Sequence, residues 1–224
     1  MFVKVYYADV GCFENKELFD EFYSAMPAPR REKIDRLRFG KDKRLSLGAG
    51  ALLLKGSDDL GVTDSGTVCE KKGKPCFKNR NDLFFSISHS GNSAAVAFSD
   101  LRVGCDTELL RKAPVSVSKR FFSADEKEYL DSLPDCEKQT AFFRIWTLKE
   151  SFLKATGEGI SGIMRSFSVL SRQGKLLDVY EDRFGKFSFC EPDLFPDQRS
   201  AVCINGELTK TPELIKVDFM CGIC

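Results

Sequence analysis

Wound at about 100° per residue, residues 137–156 gather Ala141, Ile145, Leu148, Phe152 and Ala155 on one side of a long helix. Glu150 stands on the opposite side, flanked along its row by Trp146 and Lys154, with Phe143 one turn further back. Aromatic residues on the charged side mean that this side is covered too. A carboxylate on a half-covered face needs a cation or a metal as its partner. The plain alternative is a solvated i,i+4 Glu–Lys pair, which contributes only ~0.3–0.5 kcal/mol.

A second acidic element bears on that choice. Val103-Gly104-Cys105-Asp106-Thr107-Glu108 opens on apolar residues and then places carboxylates at i and i+2. On a strand, a period of two puts both on one face. Two neighbouring anions repel unless something positive lies between them, or unless the strand is a solvated edge. With Glu150 they form an oxygen-rich set suited to Mg²⁺, with Mn²⁺ as a substitute, an ion that keeps waters and also takes substrate phosphates.

The order of elements makes the fold class α+β. A strand is expected at 1–10, helices at 14–25, 30–39 and 41–55, and a turn at 56–66. Strands follow at 67–71, 83–88, 93–98 and 103–108. Helices come next near 116–121 and at 124–132 and 137–156, and strands at 166–171, 175–180, 186–190 and 199–204 close the chain. Asn92-Ser93-Ala94-Ala95-Val96-Ala97-Phe98 is echoed by Gln198-Arg199-Ser200-Ala201-Val202-Cys203-Ile204. The expectation is two similar α/β halves in a pseudo-twofold arrangement, 1–105 and 106–224, with the cleft between them as the default site.

Charge is local rather than global. The chain of 224 residues has a net charge of +1, which points to neither nucleic acid nor membrane. Yet residues 30–44 hold eight basic side chains against three acidic ones, an excess that reads as a solvated helix face or as an anion patch. Gly73-Lys74-Pro75 adds a lysine on a rigid turn. Phe85-Ser86-Ile87-Ser88-His89-Ser90-Gly91 ends an alternating strand in hydroxyls and the only histidine, donors suited to a pyrophosphate. Ser88 and Ser90 adjoin His89 in sequence, which argues against a hydrolase triad.

Nine cysteines, an odd number, lie scattered, and Met1-Phe2-Val3-Lys4-Val5-Tyr6-Tyr7 reads as a strand rather than as a secretion leader. A reducing cytoplasm is expected. Cys221 and Cys224 have no second pair with which to hold zinc. No apolar run approaches the ~20 residues of a bilayer span.

Taken in order, Gly73-Lys74-Pro75, the 85–91 and 103–108 segments, Arg120-Phe121-Phe122-Ser123-Ala124-Asp125-Glu126 and Trp146-Thr147-Leu148-Lys149-Glu150-Ser151-Phe152-Leu153-Lys154 resemble the Sfp-type 4′-phosphopantetheinyl transferases. The likeness runs over roughly residues 28–160. It departs from the family pattern at Cys105 and Thr107, where aliphatic residues are usual, and at Arg30, where relatives carry lysine. The threonine hydroxyl is expected beside the site.

The resemblance implies Mg²⁺ at Asp106, Glu108 and Glu150. It implies coenzyme A, the co-substrate, at Arg30, Lys33, Arg44, Lys74, Ser88, His89 and Lys154. The reaction implied is attack of an apo acyl or peptidyl carrier serine on the β-phosphorus, releasing adenosine 3′,5′-bisphosphate. Glu150 is the first choice for proton acceptor and Glu126 the second, with Lys154 stabilising the leaving phosphate. A monomer suffices. The alternatives are a non-catalytic coenzyme A or carrier-binding module and a Mg²⁺-dependent phosphohydrolase.

Overall fold

Alternation along the strands sorts side chains between helices on one face and a second sheet on the other. The computed structural model describes residues 1–62, 66–69, 73–159, 162–171, 173–182 and 184–221. Strand β1 (Val3–Asp9) is followed by helices α1 (Lys16–Ala25), α2 (Ala28–Asp35) and α3 (Gly40–Asp59). Next come β2 (Thr67–Cys69), β3 (Pro75–Phe77), β4 (Phe84–Ser90), β5 (Ser93–Ser99) and β6 (Val103–Leu109). Helices α4 (Val115–Phe121), α5 (Ala124–Ser132) and α6 (Asp135–Thr156) precede β7 (Val179–Asp182), β8 (Gly185–Cys190), β9 (Gln198–Asn205) and β10 (Glu213–Lys216). This is an α+β architecture.

Two four-stranded sheets carry the fold, in the orders β10-β1-β5-β4 and β6-β9-β8-β7. In the first, Tyr6, Ala8, Ala94, Val96 and Phe98 face the core built with α1, α2 and α3. Their alternates Val3, Val5, Ala95 and Ala97 face the other way and meet Val103, Cys105, Val202 and Ile204 of the second sheet. Ala201 and Cys203 then point outward to a third core, formed with α5, α6, Phe122 and Phe167. The layers are therefore helices, sheet, sheet, helices, and β5 is buried along its whole length.

One edge of β6 pairs antiparallel with β9. Its other edge meets β4 through side chains rather than a backbone ladder. The hydroxyl of Ser86 accepts from Cys105 N at 2.9 Å, that of Ser88 from Thr107 N at 3.1 Å, and that of Ser90 from Leu109 N at 3.1 Å. Three serines at period two thus satisfy amides that would otherwise be orphaned at a sheet edge.

Several expectations differ from this structure. Of the strand expected at 166–171, only a single bridge forms, between Leu170 and Leu176, and the next strand begins at Val179. Helix α2 stops at Asp35, with Ile34 its one buried residue. The boundary at 105/106 cuts through β6, and β10 returns to the first sheet by pairing parallel with β1. Thr107 turns away from the carboxylates, as alternation demands. Its hydroxyl donates to Gln198 Oε1 at 2.8 Å and accepts from Ser200 at 3.0 Å between the sheets. Cys224 lies outside the described residues.

Candidate active site

Gly104, Asp106 and Glu108 share the face of β6 that carries α6. A Cβ at Gly104 would overlap the carbonyl oxygen of Ser151, so the helix backbone rests directly on the strand. No larger residue permits that approach. It brings Lys154 against Asp106 and, two turns earlier along the helix, Trp146 against Glu108: Lys154 Nζ lies 2.7 Å from Asp106 Oδ1, and Trp146 Nε1 lies 3.2 Å from Glu108 Oε1.

Each acid is held differently. Asp106 Oδ1 accepts from Lys154 and from Ser88 Oγ at 2.9 Å, while its Oδ2 is buried with no hydrogen-bond partner. Glu150 Oε1 is buried and equally unpartnered. Burial, followed by repulsion from Asp106, raises the Glu150 pKa to about 7, against the opposing pull of Lys154. Glu108 is engaged at both oxygens, by Ser90 Oγ at 3.0 Å and by Trp146, and burial followed by Asp106 raises its pKa. Among the described residues, no three His, Cys, Asp or Glu side chains are already grouped to hold a metal ion. The donor set nevertheless fits a hard divalent cation: two inward, unsatisfied carboxylate oxygens repel each other, and a third carboxylate lies beside them.

The lysines complete the open edges of the strands. Lys154 Nζ also donates to Cys105 O at 3.0 Å and Ile87 O at 3.3 Å, which uses its three N–H donors and spans β4 and β6. Burial alone would lower its pKa, but Asp106 leaves it raised. Lys74 Nζ donates to Val103 O at 3.0 Å and to Ala155 O at 3.1 Å. Between these lysines lies a cleft of about 330 Å³ lined by Phe85, Ile87, Glu150 and Leu153. A larger cavity of about 480 Å³ sits between α1, α3 and residues 215–221; its charged lining is Lys55, Asp58, Asp59, Lys216 and Asp218, with Lys55 paired to Asp59 at 2.7 Å, and none of Asp106, Glu108, Glu150 or Lys154 reaches it.

His89 is exposed at the end of β4. Desolvation first, then the positive fields of Lys154 and Lys33, hold its imidazole below the ordinary value. Arg44 is paired with Glu14 at 3.1 Å. The Arg30 stem packs over Gly50, and desolvation lowers the Arg30 pKa.

Glu126 does not line the cleft. It is fully buried, accepts from Lys149 Nζ at 2.9 Å on both oxygens, and also accepts from the amides of Ser123 and Val169 at 2.9 Å. Lys149 also donates to Phe167 O at 2.6 Å and lies 4.2 Å from the Phe167 ring centroid. Sequence reasoning missed Lys149, Ser86 and Ser90. The serines' period-two spacing carried a signal, whereas the burial of Lys149 left none.

Residues 102–212 match the family profile described as the 4′-phosphopantetheinyl transferase superfamily. The chain is 31% identical to 4′-phosphopantetheinyl transferase Sfp of Bacillus subtilis (strain 168) over 195 residues, covering 84% of this chain and 86% of that protein. It is 32% identical to psf-1 of Bacillus pumilus over 178 residues, 78% of this chain and 76% of that one. It is 44% identical over 128 residues to HetI of Nostoc sp. (strain PCC 7120 / SAG 25.82 / UTEX 2576), 53% and 54% of the respective chains. Similarity of this depth and reach, over the segment that holds the carboxylate–lysine cleft, places the chain in the 4′-phosphopantetheinyl transferase superfamily, with the Sfp-type enzymes.

Proposed function

We propose that this enzyme transfers 4′-phosphopantetheine from coenzyme A to a serine hydroxyl of an apo acyl or peptidyl carrier protein, in a Mg²⁺-dependent reaction that releases adenosine 3′,5′-bisphosphate. The observation that carries the metal-dependent reading is the pair of buried, unpartnered oxygens, Asp106 Oδ2 and Glu150 Oε1, with Glu150 in the wall of a lysine-lined cleft and Asp106 bonded to Lys154 of the same wall. Asp106, Glu108 and Glu150 would hold the ion, which when bound offsets pyrophosphate charge. Mn²⁺ satisfies the same donors.

The chain's own groups do the rest by placement. Ser88 fixes Asp106, and Lys154, already anchored on β4 and β6, presents its charge where the leaving phosphate gains charge. Lys74 and His89 flank the diphosphate and nucleotide, with Arg44, Arg30 and Lys33 on the phosphate side. A phosphate beside His89 would favour the proton that desolvation first, and then Lys154 and Lys33, disfavour. Glu150 takes the serine proton, being the carboxylate that lines the cleft. A cation on one Glu150 oxygen lowers the basicity of the other, so the acidic limb of the rate profile lies below 7. Glu126 is assigned instead to holding α5 on α6.

The two sheets, each with helices on its outer face, support a pseudo-twofold pairing of halves with β5 and β9 as equivalent central strands. The first half contributes nucleotide contacts and the second the carboxylates. Free thiols at Cys12, Cys76, Cys105, Cys136, Cys190, Cys203 and Cys221 fit a reducing cytoplasm, and a monomer contains the whole cleft. No helix among the described residues is long and apolar enough to cross a membrane.

The test is to incubate the protein with apo carrier, coenzyme A and Mg²⁺ and to weigh the carrier. A gain of one phosphopantetheine, lost with EDTA, is expected. Coenzyme A binding without product would instead identify a non-catalytic module, and phosphate release without carrier would identify a phosphohydrolase.

A further inference from the structure

Glu108 leaves β6 with each oxygen held by a different element. Its Oε2 accepts from Ser90 at the end of β4, at 3.0 Å, and its Oε1 accepts from the indole of Trp146 on α6, at 3.2 Å. Arg111 approaches Oε2 only at 4.0 Å from a largely exposed position, where an ion pair adds little. Both donors are themselves fixed. Ser90 accepts from Leu109 N at 3.1 Å, and its carbonyl accepts from Gln198 Nε2 at 3.4 Å. The Trp146 ring packs edge-on against Phe121, with centroids 5.9 Å apart. A glutamate side chain has three rotatable angles, and two donors from opposed elements remove that freedom. An ionised carboxylate offers about four lone-pair sites, so each oxygen keeps one more to present elsewhere.

We propose that Trp146 and Ser90 form a cradle that orients Glu108 toward a divalent cation shared with Asp106 and Glu150, making both of them positioning residues for phosphopantetheinyl transfer. The inference rests on the transferase reading above. Neither side chain touches the coenzyme in this role; each acts through Glu108 alone. Outer donors of this kind commonly control metal affinity or activity by about 10–100-fold.

The test uses the full chain with saturating coenzyme A and no carrier, titrated with Mn²⁺ and followed by the electron paramagnetic resonance of the free ion. Trp146→Phe keeps the ring against Phe121 and removes only the N–H. It is expected to weaken Mn²⁺ binding about 10-fold, with Ser90→Ala acting in the same direction. In a Glu108→Gln background, Trp146→Phe should add no further loss. Unchanged Mn²⁺ affinity in Trp146→Phe, or losses that simply add in the double variant, would overturn the cradle.

A second readout needs no change at position 146. Trp146 is the only tryptophan, so its emission reports on the cradle directly. Mn²⁺ should quench it in the wild type and not in Glu108→Gln, and emission indifferent to Mn²⁺ in the wild type would also overturn the proposal. A wild type that binds Mn²⁺ in the expected pattern but never modifies a carrier would refute the transferase reading and leave the cradle standing. A wild type that modifies the carrier while Trp146→Phe keeps full Mn²⁺ affinity would do the reverse.

Discussion

A carboxyl raised from 4.5 to about 7 at position 150 makes the metal-free protein sensitive to pH in a defined direction. The folded state binds this proton more tightly than the unfolded state does. The stabilisation is fully present below about 4.5 and is lost as pH rises through 7. Above that, the Glu150 charge costs on the order of 3–4 kcal/mol, since one pKa unit corresponds to about 1.4 kcal/mol. Glu150→Gln should therefore melt above the wild type at pH 8 in EDTA and match it near pH 5. In the presence of Mg²⁺ the same variant should lose transfer by about 10²-fold or more. A difference in melting temperature that ignores pH would contradict the assignment. Glu150 and Lys154 were legible because a helix row and an acidic strand obey simple periods. The Thr107 hydroxyl was misplaced because it was judged by its nearness in sequence to Asp106. The period of two sends it instead to Gln198, between the sheets.

At the scale of elements, two contacts fix α6. The buried Lys149–Glu126 pair ties it to α5, and Gly104 lets it sit on β6. Lys149→Met alone leaves a carboxylate buried without its cation and should cost about 3–5 kcal/mol, read as a fall in the urea midpoint. Adding Glu126→Gln removes the uncompensated charge and keeps an acceptor for one of the two amides that Glu126 holds on separate oxygens, so part of the loss should return. That double variant should also retain carrier modification, whereas folded but inactive protein would return Glu126 to the chemistry. Gly104→Ala should destabilise by about 1–3 kcal/mol through overpacking and weaken Mn²⁺ binding along with it. None of this was readable in the sequence. Lys149 and Lys154 lie on one helix five positions apart, and nothing local says which ammonium is sealed inside. The exposed edge strand β10 left no alternating pattern to find, and the pattern at 166–171 resolved into one isolated bridge.

For the whole molecule, the seam between the sheets is also the wall of the cleft. Serines of β4 satisfy the amides of β6, and Lys74 and Lys154 satisfy its carbonyls, so the groups that join the two sheets are the ones that shape the site. Lys74→Ala should therefore do two things. It should lower stability by about 1–3 kcal/mol by stripping carbonyls of a partner. It should also raise the KM for coenzyme A more than it lowers kcat; a pure kcat loss would count against its place beside the nucleotide. The central claim is that Asp106, Glu108 and Glu150, distant along the chain, serve one cation. It is tested most directly by a crystal grown with coenzyme A and Mn²⁺, with the ion located by its anomalous scattering. A single peak within about 2.0–2.3 Å of oxygens from all three carboxylates is the expected result, and a peak that leaves Asp106 and Glu150 both unliganded would contradict it.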